Sequence, residues 1–180
     1  FEKHYDYDGG EYGLGILSKF PLSEIRNNRI PNNLTMLTAK MTLTNGRQVA
    51  VASAHFAGDD SMRLSQAEAT LKHLRYYSNL PIFLGGDLNS LPGSAVVNSL
   101  LDQFEDTENR YSNPITDYYT FPAHNVPDTT YRKKLDYLFV TKAHFSTIAS
   151  RTVVRAPNPT RDHHPFIATV ELKGSTFGAG

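Results

Sequence analysis

The stretch Pro-Ile-Phe-Leu-Gly-Gly-Asp-Leu-Asn-Ser-Leu-Pro at residues 81–92 decides which fold the sequence predicts. It begins with a short apolar run bounded by proline and glycine, which is typical of a buried strand. Gly85 and Gly86 follow and allow the backbone to pass close to a neighbouring strand or a ligand. Asp87 and Asn89 then point to the same side of an extended chain, at the end where open α/β sheets bind their ligands. An Asx turn that merely closes the strand is the alternative explanation of this pair.

Predicted strands and helices alternate on both sides of this stretch. The strands are residues 12–18, 35–43, 48–55, 135–141, 148–156 and 165–172, with a hairpin turn at Asn45-Gly46. Apolar residues at helical spacing predict one helix over residues 62–77, capped by Asp60 or Ser61, and a second over residues 94–104. Residues 1–10, 23–33 and 102–130 show no clear period and are predicted to be loops or connections. This order predicts a single α/β domain over residues 1–180 with mixed sheets.

The composition is that of an ordinary globular chain, with 39% hydrophobic and 20% charged residues among 180. The formal net charge is zero, whereas proteins that hold nucleic acid by neutralising its phosphates are usually basic, so we expect no strongly basic nucleic-acid surface. The absence of cysteine excludes disulfides and thiolate metal sites. Without a transmembrane-length apolar run, a signal segment or an initial methionine, we expect a soluble fragment or processed product. Its compartment and oligomeric state stay open.

Three further polar clusters lie at predicted strand ends: Ser53-Ala54-His55, Leu135-Asp136-Tyr137 and Asp162-His163-His164-Pro165. Each also has a structural explanation, because a lone histidine at a strand end is often a hydrogen-bonded core group and a lone acid is often a solvated cap. A zinc site built on Asp162 and the two histidines is another possibility. Adjacent histidines, however, rarely face the same way in a strand.

Taken together, the clusters favour a different chemistry. Asp87, Asn89 and Asp162 offer only oxygen ligands, which suits Mg²⁺ or Mn²⁺. His163 is then a candidate base, with Asp136 fixing its tautomer and stabilising its charged form. The electrophile that this combination of metal, donors and histidine suits is a phosphate ester.

The same motifs occur in the order and spacing of one known family. They are Gly85-Gly86-Asp87-Leu88-Asn89, Leu135-Asp136-Tyr137-Leu138-Phe139, Asp162-His163-His164-Pro165, the strand end Ser53-Ala54-His55, the helix start Arg63-x-x-Gln66 and residues 12–21. Over about residues 9–172 the chain resembles the endonuclease/exonuclease/phosphatase superfamily, which has the DNase I-like fold. The resemblance implies a four-layer α/β sandwich in which two mixed β-sheets pack face to face between helices.

The resemblance also implies roles for individual residues. Asp87 and Asn89 are expected to orient the attacking water and hold the phosphate, and with Asp162 they are the expected ligands of Mg²⁺ or Mn²⁺. His163 is expected to pair with Asp136 and to act as a base or an electrostatic stabiliser. His55 is the expected second active-site histidine, oriented by Glu11. The implied function is that of a metal-dependent phosphoesterase.

One feature departs from the family pattern. Family members carry their principal metal-binding glutamate on a strand near the N-terminus, and the segment before Glu11 is too short to supply it. The family's first third is therefore expected to be absent, which leaves a non-catalytic member that keeps the fold for binding as the alternative function. The substrate stays open among small phosphate esters, lipid head groups and nucleic acid. The loop at residues 102–134, with Phe121-Pro122 and Tyr131-Arg132-Lys133-Lys134, is expected to set that choice.

Overall fold

A computed structural model describes residues 1–123, 129–153 and 162–174 of the chain. The elements before the central stretch are β1 (Glu2–Tyr7), β2 (Gly10–Leu14), β3 (Leu22–Ile30), β4 (Leu34–Thr42), β5 (Gln48–His55) and α1 (Asp60–Leu74). Those from the central stretch onward are β6 (Ile82–Asp87), α2 (Ala95–Leu101), β7 (Phe104–Asp106), β8 (Asp136–Thr141), β9 (Phe145–Thr152) and β10 (Phe166–Leu172). Short 3₁₀ turns lie at Arg75–Tyr77, Ile115–Asp117 and Thr129–Tyr131.

Six of the strands form one mixed sheet in the order β3-β4-β5-β6-β8-β7. β5 and β6 are parallel because α1 connects them, and β6 and β8 are antiparallel. Two smaller antiparallel sheets pair β1 with β2 and β9 with β10. The mixed α/β fold predicted from the sequence is therefore confirmed.

The six-stranded sheet is buried on both faces. Buried residues of α1 and α2, including Ala67 and Leu100, pack on one face against Ala52 and Leu84. The β9–β10 sheet covers the other face, where the rings of Phe83 and Phe145 lie 4.5 Å apart. Two sheets thus pack face to face, as the resemblance implied, with helices on the far side of the larger one. In the described part of the chain, neither α-helix is long and apolar enough to cross a membrane.

Two segments predicted to be irregular are strands. Residues 1–10 contain β1, and residues 23–33 contain most of β3, which pairs with β4 on both sides of an irregularity between Ser23 and Arg26. The prediction for β3 was wrong because this edge strand is mostly exposed and polar, so it carries no apolar alternation. The predicted loop at 102–130 contains the short strand β7, and its residues 124–128 lie outside the described part of the chain.

The remaining predictions differ from the structure mainly at element ends. The side chain of Asp59, rather than Asp60 or Ser61, caps α1 by accepting from the Met62 N–H at 2.8 Å. α2 ends at Leu101, and β2 ends at Leu14 rather than at residue 18. β9 runs over Phe145–Thr152, and residues 154–156 of the predicted strand are not described.

A glycine sets the spacing between β5 and β6. Gly86 has φ 151°, and a Cβ added there would lie 1.8 Å from the carbonyl oxygen of Ala54. Only glycine allows the two strands to approach this closely. The pairing places Asp87 directly beside His55, so this close approach builds the edge on which the polar residues meet.

Candidate active site

Three predicted site residues lie side by side on neighbouring strands. His55 ends β5 and is paired in register with Asp87, which ends β6. Asp87 is in turn paired with Asp136, which begins the antiparallel strand β8. The sheet topology therefore brings together residues that are far apart in sequence.

These residues line an open cavity of about 800 Å³. Six of the predicted site residues contribute to its lining: His55, Asp87, Asn89, Asp136, Asp162 and His163. Tyr12, Arg63, Phe121 and Lys133 line it as well. Imidazoles and carboxylates meet in this cavity, and the Phe121 ring lies 5.1 Å from that of His163.

The turn after β6 holds Asp87 and Asn89 together. The Asn89 N–H donates to Asp87 Oδ1 at 2.8 Å, and Asn89 takes a left-handed backbone conformation with φ 47°. The Asn89 side-chain amide donates to the carbonyl of Phe56 at 2.8 Å. The Asx turn considered as an alternative is thus present, and it positions both side chains on the cavity instead of competing with that role.

Asp136 and His163 form a close pair. Asp136 Oδ2 lies 2.7 Å from His163 Nδ1, and both side chains are about one quarter exposed. Burial lowers the pKa of His163, but the hydrogen bond and charge of Asp136, helped by Asp87 and Asp162, outweigh it, so the pKa lies above the ordinary value. The carboxylate therefore holds the ring with Nε2 facing the cavity and favours its charged form.

The second oxygen of Asp87 lies between the two imidazoles. Asp87 Oδ2 is 3.9 Å from His163 Nε2 and 3.8 Å from His55 Nε2. Burial raises the pKa of Asp87 to about 6, and the nearby Asp136 charge adds to this effect, while the Asn89 N–H and His163 oppose it. A carboxyl group with such a pKa changes its charge close to neutral pH, which suits a general base.

His55 differs electrostatically from His163. Burial lowers its pKa, and the neighbouring His4 and His163 lower it further. Its Nδ1 lies 3.1 Å from the Tyr12 hydroxyl, and its Nε2 lies 3.2 Å from Asn89 Nδ2. His55 is therefore neutral at pH 7, with a polar partner on each ring nitrogen.

The structure does not bring Glu11 to His55. The Glu11 carboxylate lies 3.4 Å from Lys3 Nζ on the exposed β1–β2 hairpin and does not line the cavity. The next residue, Tyr12, contacts the histidine instead, because neighbouring residues of a strand face opposite ways. His164 also lies away from this cavity, with its buried ring packed edge-on against Tyr119.

Sequence reasoning did not single out Arg63 or Tyr12 as individual site residues. Arg63 begins the Arg63-x-x-Gln66 motif, and its Nε donates to Ser90 Oγ at 3.1 Å. The guanidinium also contacts the Gly58 carbonyl and the Asp60 carboxylate. It thus ties the N-terminal end of α1 to the turn after β6. Tyr12 begins the stretch 12–21 that resembles the family, but that resemblance gave it no individual role.

The donor set fits a divalent cation. One ligand atom from each of Asp87, Asp136 and His163 lies within 4.8 Å of the others. Among the described residues, the basic groups paired with the outer oxygen of Asp87 are the two imidazoles, at 3.8 and 3.9 Å. The carboxylate oxygens suit Mg²⁺ or Mn²⁺, and the imidazole could join them only in its neutral form. Asp162, predicted to be a ligand, lines the same cavity but is not one of the three converging groups.

The sequence profile of the Endonuclease/Exonuclease/phosphatase family matches residues 2–173, which is nearly the whole chain. The chain belongs to this family. The resemblance noted from its motifs is therefore confirmed, and the match begins slightly earlier than the predicted residue 9. No curated protein sequence matches the chain significantly.

Solved structures of the family share the fold. A protein from Beutenbergia cavernae matches 87% of this chain and 47% of its own length, with 21% identity and a TM-score of 0.70. The human Nocturnin catalytic domain matches 86% and 60%, with 20% identity and a TM-score of 0.67. A mannosyl-6-phosphatase from Bacteroides thetaiotaomicron matches 86% and 68%, with 14% identity and a TM-score of 0.65. The chain thus spans about half to two thirds of the length of these structures.

Proposed function

We propose that this chain is a divalent-metal-dependent phosphoesterase, in which an activated water attacks the phosphorus of a phosphate ester. The observation that carries the proposal is the convergence of Asp87, Asp136 and His163 in one open cavity beside Asn89 and His55. Family membership supports hydrolysis of a phosphate ester in general. The Nocturnin structure contains a bound sulfate, an anion with the shape of phosphate, and the Bacteroides relative is named a mannosyl-6-phosphatase.

Mg²⁺ or Mn²⁺ would be held by Asp87 and Asp136, with Asp162 and Asn89 Oδ1 at the rim, and would supply charge neutralisation for the phosphate. The ionised Asp87 carboxylate, which lies between the two imidazoles in the cavity, accepts a proton from the attacking water. Asn89 Oδ1 accepts a hydrogen bond from that water, because the amide hydrogens face Phe56 and His55. His163, whose charged form Asp136 favours, stabilises negative charge on the phosphate as it develops.

Two features bear on the substrate. The cavity is open and wide, and Phe121 and Lys133 from the predicted specificity loop lie on its wall. Lys133 and Arg63 supply positive charge there, while the whole chain has a formal net charge of zero. These features favour a small phosphate ester over a long polyanion, because binding of nucleic acid depends largely on phosphate neutralisation by many cations.

Hydrolysis of a model diester and a model monoester tests the proposal. We expect the chain to cleave bis-(p-nitrophenyl) phosphate or p-nitrophenyl phosphate with Mg²⁺ or Mn²⁺, and to lose this activity in excess EDTA. Asp87→Asn should abolish turnover, whereas Glu68→Gln, a matched change on the exposed side of α1, should leave it intact. Full activity in EDTA would rule out metal dependence. No cleavage under any of these conditions would favour the non-catalytic alternative.

A further inference from the structure

The hydrogen bonds around His55 determine where its proton lies. Asn89 Nδ2 lies 2.8 Å from the Phe56 carbonyl oxygen and 3.2 Å from His55 Nε2. A carbonyl oxygen can only accept, so the amide must turn its NH₂ group, and not its oxygen, toward Phe56. The second hydrogen of that NH₂ group is then available to His55 Nε2. The Asn89 amide is therefore the donor to both partners.

This assignment fixes the tautomer of His55. A nitrogen that accepts a hydrogen bond carries no proton, so the neutral ring must hold its proton on Nδ1. Among the described residues, the hydrogen-bonding partner of Nδ1 is the Tyr12 hydroxyl, 3.1 Å away. The His55 Nδ1–H therefore donates to the Tyr12 oxygen. A charged ring would carry a proton on both nitrogens and could not accept from Asn89, so this contact requires the neutral ring.

Because its oxygen accepts from His55, the Tyr12 hydroxyl hydrogen is not used in this contact. Burial raises the pKa of Tyr12, with Tyr5, Asp87 and Asp162 adding to the effect, so the hydroxyl stays protonated at neutral pH. The ring is held in place by stacking on Tyr5, with the ring centroids 4.9 Å apart and the planes at 20°. Tyr12 also lines the cavity that contains Asp87 and His163.

We propose that Tyr12 is a substrate-binding residue, oriented by His55, which donates its hydroxyl hydrogen to a non-bridging oxygen of the phosphate. The chain of donors runs from the Asn89 amide through the His55 ring to the Tyr12 hydroxyl and ends at the phosphate. His55 is then a positioning residue for Tyr12, in place of the role expected for a histidine oriented by Glu11. The ligand in this inference rests on the proposed function, but the tautomer of His55 does not.

Nitrogen NMR of the histidine-labelled 180-residue chain tests the first step. Protonated and unprotonated imidazole nitrogens have well-separated ¹⁵N shifts, so each tautomer has its own pattern. We expect His55 to show a protonated Nδ1 and an unprotonated Nε2 at pH 7.5. A protonated Nε2 would overturn the proposal, because Nδ1 would then accept from Tyr12 and use up the hydroxyl hydrogen.

Binding of inorganic phosphate in the presence of Mg²⁺ tests the second step. Tyr12→Phe removes only the hydroxyl, and we expect phosphate affinity to fall about 10-fold, as for loss of a hydrogen bond to a charged group. Tyr7→Phe makes the same change on an exposed residue of the same hairpin and should leave the affinity unchanged. Equal phosphate affinity of Tyr12→Phe and wild type would overturn the role of Tyr12 alone. Absence of phosphate binding by the wild type would overturn both this role and the proposed function.

Discussion

The charge of His163 depends on one partner. Asp136 lies 2.7 Å from its Nδ1 and, by hydrogen bond and charge, overcomes the burial that would otherwise lower the histidine pKa. Asp136→Asn keeps the shape of the side chain and removes the charge. We expect a lower His163 pKa and a turnover reduced by about 10²–10⁴-fold, as for loss of a positioned acid or base. NMR titration of the His163 ring and hydrolysis assays measure the two effects.

Asp102→Asn is a suitable control, because Asp102 is an exposed residue just beyond α2. It should change neither the titration nor the turnover. If Asp136→Asn behaved in the same way, Asp136 would be only a solvated strand end, and His163 would lose its assigned role as a charged stabiliser.

The raised pKa of Asp87 makes a prediction about stability. In the metal-free protein its folded pKa is about 6, against an ordinary value of 3.8. The ionised form is thus disfavoured by folding, so this group lowers stability progressively as the pH rises from about 4 to 6, and fully above that. Asp87→Asn should therefore increase the free energy of unfolding at pH 8 in EDTA, by roughly 1–2 kcal/mol.

Urea denaturation at pH 4 and pH 8 checks this prediction. The stability gain of Asp87→Asn over wild type should be present at pH 8 and be mostly lost at pH 4, where the folded wild-type carboxyl is protonated and the unfolded one is only partly ionised. Added Mg²⁺ should reverse the order at pH 8, because only the wild type keeps both metal-binding oxygens. A variant less stable than wild type at pH 8 in EDTA would show that Asp87 is not destabilising when ionised.

At the scale of elements, the β5–β6 pair depends on the missing side chain of Gly86. A Cβ there would meet the Ala54 carbonyl oxygen at 1.8 Å, and the backbone φ of 151° is also unsuited to other residues. Gly86→Ala should lower the free energy of unfolding by about 2 kcal/mol or more. Gly15→Ala adds the same methyl group where nothing lies within 4 Å and should have little effect. Thermal or urea denaturation measures the stability of both variants. Equal stabilities would show that the β5–β6 pairing does not require glycine at residue 86.

Lys134 links the start of β8 to β10. It is fully buried, donates to the Asp136 carbonyl at 2.7 Å and lies about 4 Å above the rings of Tyr137 and Phe166. Burial lowers its pKa, and the carboxylates of Asp106 and Glu108 act in the opposite direction. Lys134 is thus a buried cation that balances buried acids directly beneath a site residue.

Lys134→Met keeps most of the apolar stem and removes the charge. We expect a loss of about 3 kcal/mol in the free energy of unfolding, since the Asp136 carbonyl would lose its donor and the buried Asp106 carboxylate would lose a cation that stabilises its charge. Lys133→Met changes the exposed neighbour and should be close to neutral. Chemical denaturation of the two variants provides the comparison, and similar stabilities would show that Lys134 contributes only packing.

For the whole molecule, the formal net charge of zero predicts a low affinity for nucleic acid. We expect weak binding to a random DNA duplex at physiological salt, with an affinity that depends little on salt concentration. Fluorescence anisotropy across a KCl series measures the slope of log affinity against log salt. A slope that corresponds to about six or more released counterions would reveal a basic surface formed by folding and would make nucleic acid the favoured substrate.

The family and most elements of the fold could be predicted from the sequence alone. Its clearest signals were local: the apolar run, glycines and Asx pair at 82–89, the alternation in β4, and the helical spacing in α1. Such patterns can be recognised because burial of one face makes apolar residues recur at the spacing of a helix or a strand. They failed at β3, where an exposed edge strand is held by backbone pairing with β4 and needs no apolar period.

Which residues share a site, and how they shift one another's pKa values, could be read from the tertiary structure alone. Asp87 lies beside His55 and Asp136 because parallel and antiparallel pairings meet at one sheet edge. Whether Glu11 or Tyr12 contacts His55 depends on which face of β2 turns toward the histidine. A shift of one residue along the strand reverses that face. The opposite pKa shifts of the two histidines likewise depend on burial and on charges from other elements. These are distances between residues remote in sequence, so no local pattern in the chain encodes them.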